Sequence, residues 1–273
     1  MSGPSERERA EWDRASVFEK WTFSVGNDLL RTGEQRPLLP SDLMKLSDHD
    51  LPGPLIERLK SSYSSSRKIF FLPRLMVAMI KAHPIDVYYV VFYTCLKGAG
   101  RIALPICLKY FLQSLQQEAF EGQAYMWAAI LSVITVIQMK AHHVLYFYTM
   151  RMGWNWKSAC TGLIYERLFA LNSVQMKGTS TGNLVNLISN DVALFEPFAI
   201  FACFSWESIL ELAAILYILI SLVGIAAGFA GMGVTLTFIP IQIVLAGQFS
   251  KIRVQTASAT DQRVRYTSEI IDG

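Results

Sequence analysis

Long apolar runs alternate with polar stretches in the last two thirds of this chain, and the first third has no such runs. A helix that crosses the hydrocarbon core of a bilayer needs about 20 mostly apolar residues. Ile85–Leu112, IDVYYVVFYTCLKGAGRIALPICLKYFL, is long enough, although it carries Asp86, Lys97, Arg101 and Lys109 and contains Pro105. Ala124–Met150 is a second run, interrupted by Lys140, His142 and His143. Residues 200–247 form one apolar stretch about twice the length of a single span. Ser221–Gly233, SLVGIAAGFAGMG, holds four glycines and is the natural place to divide it. The pattern predicts four transmembrane helices, over about 85–112, 124–172, 183–223 and 228–273. The second helix outruns its apolar core: Met152, Trp156, Cys160, Ile164 and Leu168 continue a helical stripe beyond it. About 49 residues at 1.5 Å each reach roughly 73 Å, against a hydrocarbon core of about 30 Å. The fourth also continues as a polar helix through QFSKIRVQTASATDQRVRYTSEIIDG. Pro197, near the start of the third, is expected to kink or break it.

The first 84 residues hold 13 of the 25 Lys and Arg and 11 of the 22 Asp and Glu. Phe18, Trp21, Phe23, Leu29 and Leu30 are scattered apolar anchors within residues 1–68, and Ser61–Lys68, SSYSSSRK, reads as a flexible linker. Ile69–His83 is apolar but too short to span. It is expected to lie at the membrane interface over 69–84, with Arg74 and Lys81 toward headgroups; an ordinary buried helix is the alternative. The N-terminus lacks the apolar core of a signal peptide, and Ser2 rather than glycine follows Met1, so myristoylation is not indicated.

Lys and Arg segregate by loop. The segment 113–122 has none, and neither does the turn around 224–231, whereas Arg151, Lys157, Arg167 and Lys177 lie between helices two and three. Lys251, Arg253, Arg263 and Arg265 lie in the tail. The positive-inside rule then places 1–84, 151–197 and 251–273 in the cytoplasm. The net charge of +3 is too small to argue for nucleic acid. Cys95, Cys107, Cys160 and Cys203 show neither zinc-type nor paired spacing and read as small buried hydrophobes. His142 and His143 are adjacent, so they point to different faces and make no chelating pair. No P-loop is present: GTSTGNLV and GMGVTL lack the phosphate-binding lysine. The expectation is no catalytic residue, no metal and no cofactor in this chain.

Ionisable residues inside spans face a bundle interior or water. Lys97 and Arg101 share one face of helix one, and Glu207 and Glu211 share one face of helix three, each pair being four residues apart. Two readings stand: a polar substrate path, or a charge network that holds helices one and three together. Glu207 and Glu211 are candidate acidic partners of Arg101. Trp206 is either a stacking surface on the path or a lipid-facing side chain.

The run Gly178–Phe195, GTSTGNLVNLISNDVALF, resembles the first cytoplasmic loop of C-subfamily ABC transporters, the multidrug-resistance-associated group related to the cystic fibrosis chloride channel. Gly153–Ser173, Arg101–Pro105 (RIALP) and Thr260–Gly273 are similar to further stretches of the same domain. Phe18, Trp21 and Asp42–Leu43 resemble the family's lasso-like arm. The resemblance implies an all-α type 1 exporter transmembrane domain, partial over 85–273, behind a lasso-like arm and an elbow helix. It implies coupling segments that touch nucleotide-binding domains absent from this chain: Ser173, Gln175 and Lys177 in a transverse helix, then Gly182, Asn186, Asn190 and Asp191, and a second element at Thr267, Ser268 and Glu269. For Asn190 and Asp191, a solvated helix face is the alternative. It further implies an ATP-driven exporter of organic anions or amphipathic compounds in the plasma membrane or a vacuolar or endomembrane, with ATP and Mg held by the full-length protein and a second transmembrane domain as partner. An ion channel, a regulatory four-helix scaffold or an inactive fragment is the competing reading.

Overall fold

The computed structural model describes residues 10–69, 72–116, 121–170 and 181–272. Among them the regular elements are helices. They fall into two compact units divided within one helix, residues 1–209 and 210–273.

In the first unit, short helices α1 (Glu11–Arg14), α2 (Val17–Thr22) and α3 (Asn27–Gln35) precede α4 (Pro52–Ser65) and α5 (Arg74–Ala82). Ser16 caps α2 reciprocally: its hydroxyl accepts from the Glu19 backbone N–H, and its own N–H donates to the Glu19 carboxylate at 2.7 Å. Phe23 ends α2 in the left-handed region, at φ 59°, where a bulky residue is costly. Its ring packs on Phe147, 5.6 Å between centroids. Arg36 forks onto Asp42 at 2.6 and 2.7 Å, and with the Leu39 N–H this holds the Asp42 carboxyl at about 2.

The serine run expected to be a linker is largely helical: Ser61–Ser65 form the last turns of α4. Leu55 and Leu59 are fully buried and anchor that helix, while Ser64 and Ser65 bond back to the Ser61 carbonyl. On α5, Val77, Ala78, Met79 and Ala82 are buried and Lys81 is exposed, so one face is a packed core face and the other remains open. His83 follows. Its Nδ1 lies 3.1 Å from the Met79 carbonyl, and burial pushes its pKa down.

Helix α6 (Pro84–Gln116) and α7 (Glu121–Ala170) form an antiparallel hairpin. Tyr110 stacks on Trp127 at 5.0 Å, Gly100 abuts Gln138, and Tyr89 stacks on Tyr148 at 4.8 Å. At 50 residues, α7 is about 75 Å long and extends well past any bilayer core. Pro105 is accommodated inside α6, where it can return no N–H to the Arg101 carbonyl.

The third membrane helix begins irregularly. After α8 (Thr181–Asn186) the chain winds through a π turn at Leu187–Asp191 and a 3₁₀ turn at Val192–Leu194 into α9 (Phe195–Val223). Pro197 is the third residue of α9, so the departure from α geometry falls on the turns its ring would otherwise crowd. Gly153 lets α7 and α9 approach closely: a Cβ there would lie 2.8 Å from the Glu196 carbonyl oxygen.

In the second unit the turn is a single residue. Gly224, at φ 88°, separates the end of α9 from α10 (Ile225–Asp272). The expected external loop at 224–231 is therefore helical from Ile225 onward. Gly228 and Gly231 pack on Ile220 and Leu219, which makes these helices an antiparallel pair. Helix α10 runs unbroken through Thr267, Ser268 and Glu269, the residues expected to open a second coupling element. Arg265 and Glu269 pair at 3.0 Å one turn apart, which supports the helix at that point. Among the described residues four helices, starting at Pro84, Gly122, Leu184 and Ile225, are long and apolar enough to cross a membrane.

Candidate functional site

Helix α9 is apolar nearly all round, but within the first unit one narrow face is buried, marked by Ala199, Cys203 and Glu207 at four-residue spacing. That face meets α6 in parallel. Thr94 lies 3.3 Å from the Cys203 sulfur, and one turn on Lys97 Nζ donates to Glu207 Oε2 at 2.7 Å. Both members of the ion pair are more than nine-tenths buried. Lys97 also sits 4.4 Å from the centre of the Phe204 ring, a cation–π contact. The second oxygen of Glu207, Oε1, is buried and accepts no hydrogen bond.

Beside this pair lies a cavity of about 710 Å³, open to one side. Lys97, Arg101, Thr135, Gln138, His142 and Phe204 are among the side chains that line it. Helices α6, α7 and α9 each contribute. The structure thus brings Lys97, Arg101 and Glu207 into one region, with Glu207 bonded to Lys97 rather than to Arg101. Trp206 is exposed on α9, and Glu211 stands one turn beyond Glu207 in the second unit. His142 is a cavity-wall residue whose ring is 5.8 Å from Phe204.

The coupling residues are only partly placed. Ser173, Gln175 and Lys177 lie outside the described residues. Gly182 and Asn186 are in α8, and Asn190 and Asp191 end the π turn. Asn190 donates to the Asn186 side chain at 2.6 Å.

A second polar cluster escaped the sequence reading. Arg151 on α7 donates to Asp50 at 2.8 and 2.9 Å, and Asn155 one turn on donates to the same carboxylate at 2.7 Å. Farther along, Ile56 packs onto Gly162 and Lys60 meets Glu166 at 3.1 Å. The pairings 50–151, 56–162 and 60–166 advance together, so α4 runs parallel to the extended part of α7. Trp12 and Phe23 both pack on Phe147, which completes the docking of the arm.

Residues 87–273 match the family of ABC transporter transmembrane regions. Similar curated proteins include ATP-binding cassette sub-family C member 4 of Mus musculus, 29% identical over 94% of this chain and 20% of its own length. ABC transporter C family member 13 of Dictyostelium discoideum is 29% identical over 96% of the chain and 19% of its own length. Metal resistance protein YCF1 of Saccharomyces cerevisiae is 22% identical over 96% and 18%. The chain spans about a fifth of the length of the relatives it matches. The four long apolar helices and these matches together show that this chain belongs to the ABC transporter transmembrane region family, within its C-subfamily.

Proposed function

We propose that the chain is the leading part of the membrane domain of an ATP-driven exporter of organic anions or amphipathic compounds. In this reading, nucleotide-binding domains and a second transmembrane domain complete the transporter, and ATP with Mg is hydrolysed on those nucleotide-binding domains. The arm, the 151–197 segment and the end of α10 face the cytoplasm, where the residues around 173–191 receive the force of nucleotide binding. The long extension of α7 suits that transmission.

The observation that carries the reading is the cavity between α6, α7 and α9, with Arg101 on its wall. Arginine keeps its charge on burial and offers a planar donor fork that fits carboxylates and phosphates. Lys97 and Glu207, joined across 2.7 Å, hold α6 to α9 at the edge of this cavity. Arg101→Ala is expected to lower transport of an anionic glutathione conjugate about tenfold per molecule at the membrane. Arg101→Lys should keep part of it, and transport of an uncharged amphiphile should change little. Vesicle uptake normalised to the amount of protein checks this. Equal losses for charged and uncharged substrates would assign Arg101 to the structure of the bundle instead.

A further inference from the structure

Where α5 hands over to α6, a groove of about 630 Å³ opens on the surface of the first unit. One wall is α4, with Arg58, Ser61 and Ser62 at i, i+3 and i+4, which is a single helix face. The other is the end of α5, with the exposed Lys81, followed by Pro84 and Ile85 at the start of the first membrane helix. Arg58 is oriented by His49: its guanidinium donates to the His49 carbonyl at 3.4 Å and lies 3.2 Å from the ring nitrogen Nδ1. Arg74 ties α5 to α4 by donating to the Tyr63 carbonyl at 2.7 Å and stacking over the Tyr63 ring at 4.2 Å. The two walls are therefore held in place. The acid on the rim, Glu57, faces Lys60 at 3.9 Å.

We infer that this groove binds an anionic phospholipid, its phosphate held between Arg58 and Lys81 with the Ser61 and Ser62 hydroxyls as further donors. Two features favour a lipid over a soluble anion. The groove lies where a membrane-crossing helix begins, at the level where tyrosines gather in Tyr88, Tyr89 and Tyr93, as they do at membrane interfaces. Its apolar end also continues along one face of α6 through Ile85, Tyr88 and Phe92, all well exposed, with the last two rings stacked at 6.4 Å. An acyl chain has a path there that a free phosphate cannot use. Basic residues beside a membrane attract anionic headgroups over zwitterionic ones. A lipid in this position bridges the arm, through α4, to the first membrane helix.

The test uses the complete protein in nanodiscs of phosphatidylglycerol or of phosphatidylcholine, released into detergent, with the bound lipid counted by native mass spectrometry. Phosphatidylglycerol should be retained and phosphatidylcholine lost. Arg58→Gln with Lys81→Gln should cut phosphatidylglycerol retention about tenfold. Arg253→Gln with Arg263→Gln, an equal charge change on exposed positions of α10, should leave it unchanged. Lys81→Gln alone, at an exposed side chain, should lower retention without altering the thermal midpoint. Excess inorganic phosphate at matched ionic strength should not displace the lipid. Equal retention in the groove variants and the α10 control, equal retention of phosphatidylcholine, or displacement by phosphate would each overturn the assignment.

Discussion

Glu207→Ala is expected to destabilise the membrane bundle by about 3–5 kcal/mol, because it leaves the buried Lys97 ammonium without its carboxylate. The pair is 2.7 Å long, and each side chain is more than nine-tenths buried. Phe204 offers the ammonium only a ring face, which does not replace a carboxylate. The variant should show a much lower monodisperse yield in detergent and a thermal midpoint reduced by roughly 10 °C. Lys97→Met together with Glu207→Leu should recover most of the loss, since a buried ion pair replaced by apolar groups of similar size is often neutral or better. Thermal scanning of the four proteins in the double-mutant cycle measures the coupling. Additive losses, with no recovery in the double variant, would remove the pair from its role in joining α6 to α9.

The second large effect concerns the arm. Asp50→Ala removes the acceptor shared by Arg151 and Asn155, and leaves a mostly buried guanidinium on α7 without its partner. Breaking such a pair costs about 3 kcal/mol or more. The remaining contacts of the arm include ring packing on Phe147, the buried Leu55 and Leu59 of α4, the Arg74–Tyr63 link, the Ile56–Gly162 contact and the exposed Lys60–Glu166 pair, which contributes at most about 1 kcal/mol. Without this polar anchor the arm should open from α7 more often, while the apolar hairpin of α6 and α7 persists. Limited proteolysis is expected to cut the variant within residues 36–69 at least tenfold faster than the wild type, and Arg151→Ala should do the same. Unchanged protection would mean that apolar and aromatic packing holds the arm without the Asp50 cluster.

The membrane helices were legible because their signal is local. A run such as Ala124–Met150 declares itself by length, and the four glycines of Ser221–Gly233 marked the turn to within a few residues of Gly224. The placing of Lys97 and Glu207 in a bundle interior followed from the cost of charge in lipid. Their pairing with each other did not follow, since it depends on the register of α6 against α9 and 110 residues separate them. The face of α9 marked by Ala199, Cys203 and Glu207 left no stripe, because every other face of that helix is apolar as well. The arm was the least legible part. Leu55 and Leu59 are too few to outline α4, and the serine run after them suggested a linker. Asp50 and Arg151 are 101 residues apart and belong to no motif. At Thr267 the resemblance suggested a new element, but residues 260–272 hold neither glycine nor proline, and the helix runs on to Asp272.

ATP-dependent accumulation of an anionic conjugate in inside-out membrane vesicles tests the exporter reading most directly. The vesicles would carry the polypeptide expressed from its natural gene. Uptake against a gradient with ATP and Mg, absent with a non-hydrolysable analogue and reduced about tenfold by Arg101→Ala, is the predicted result. Anion flux that only follows its gradient and proceeds equally with the non-hydrolysable analogue would contradict it, and would identify a channel built on the same helices.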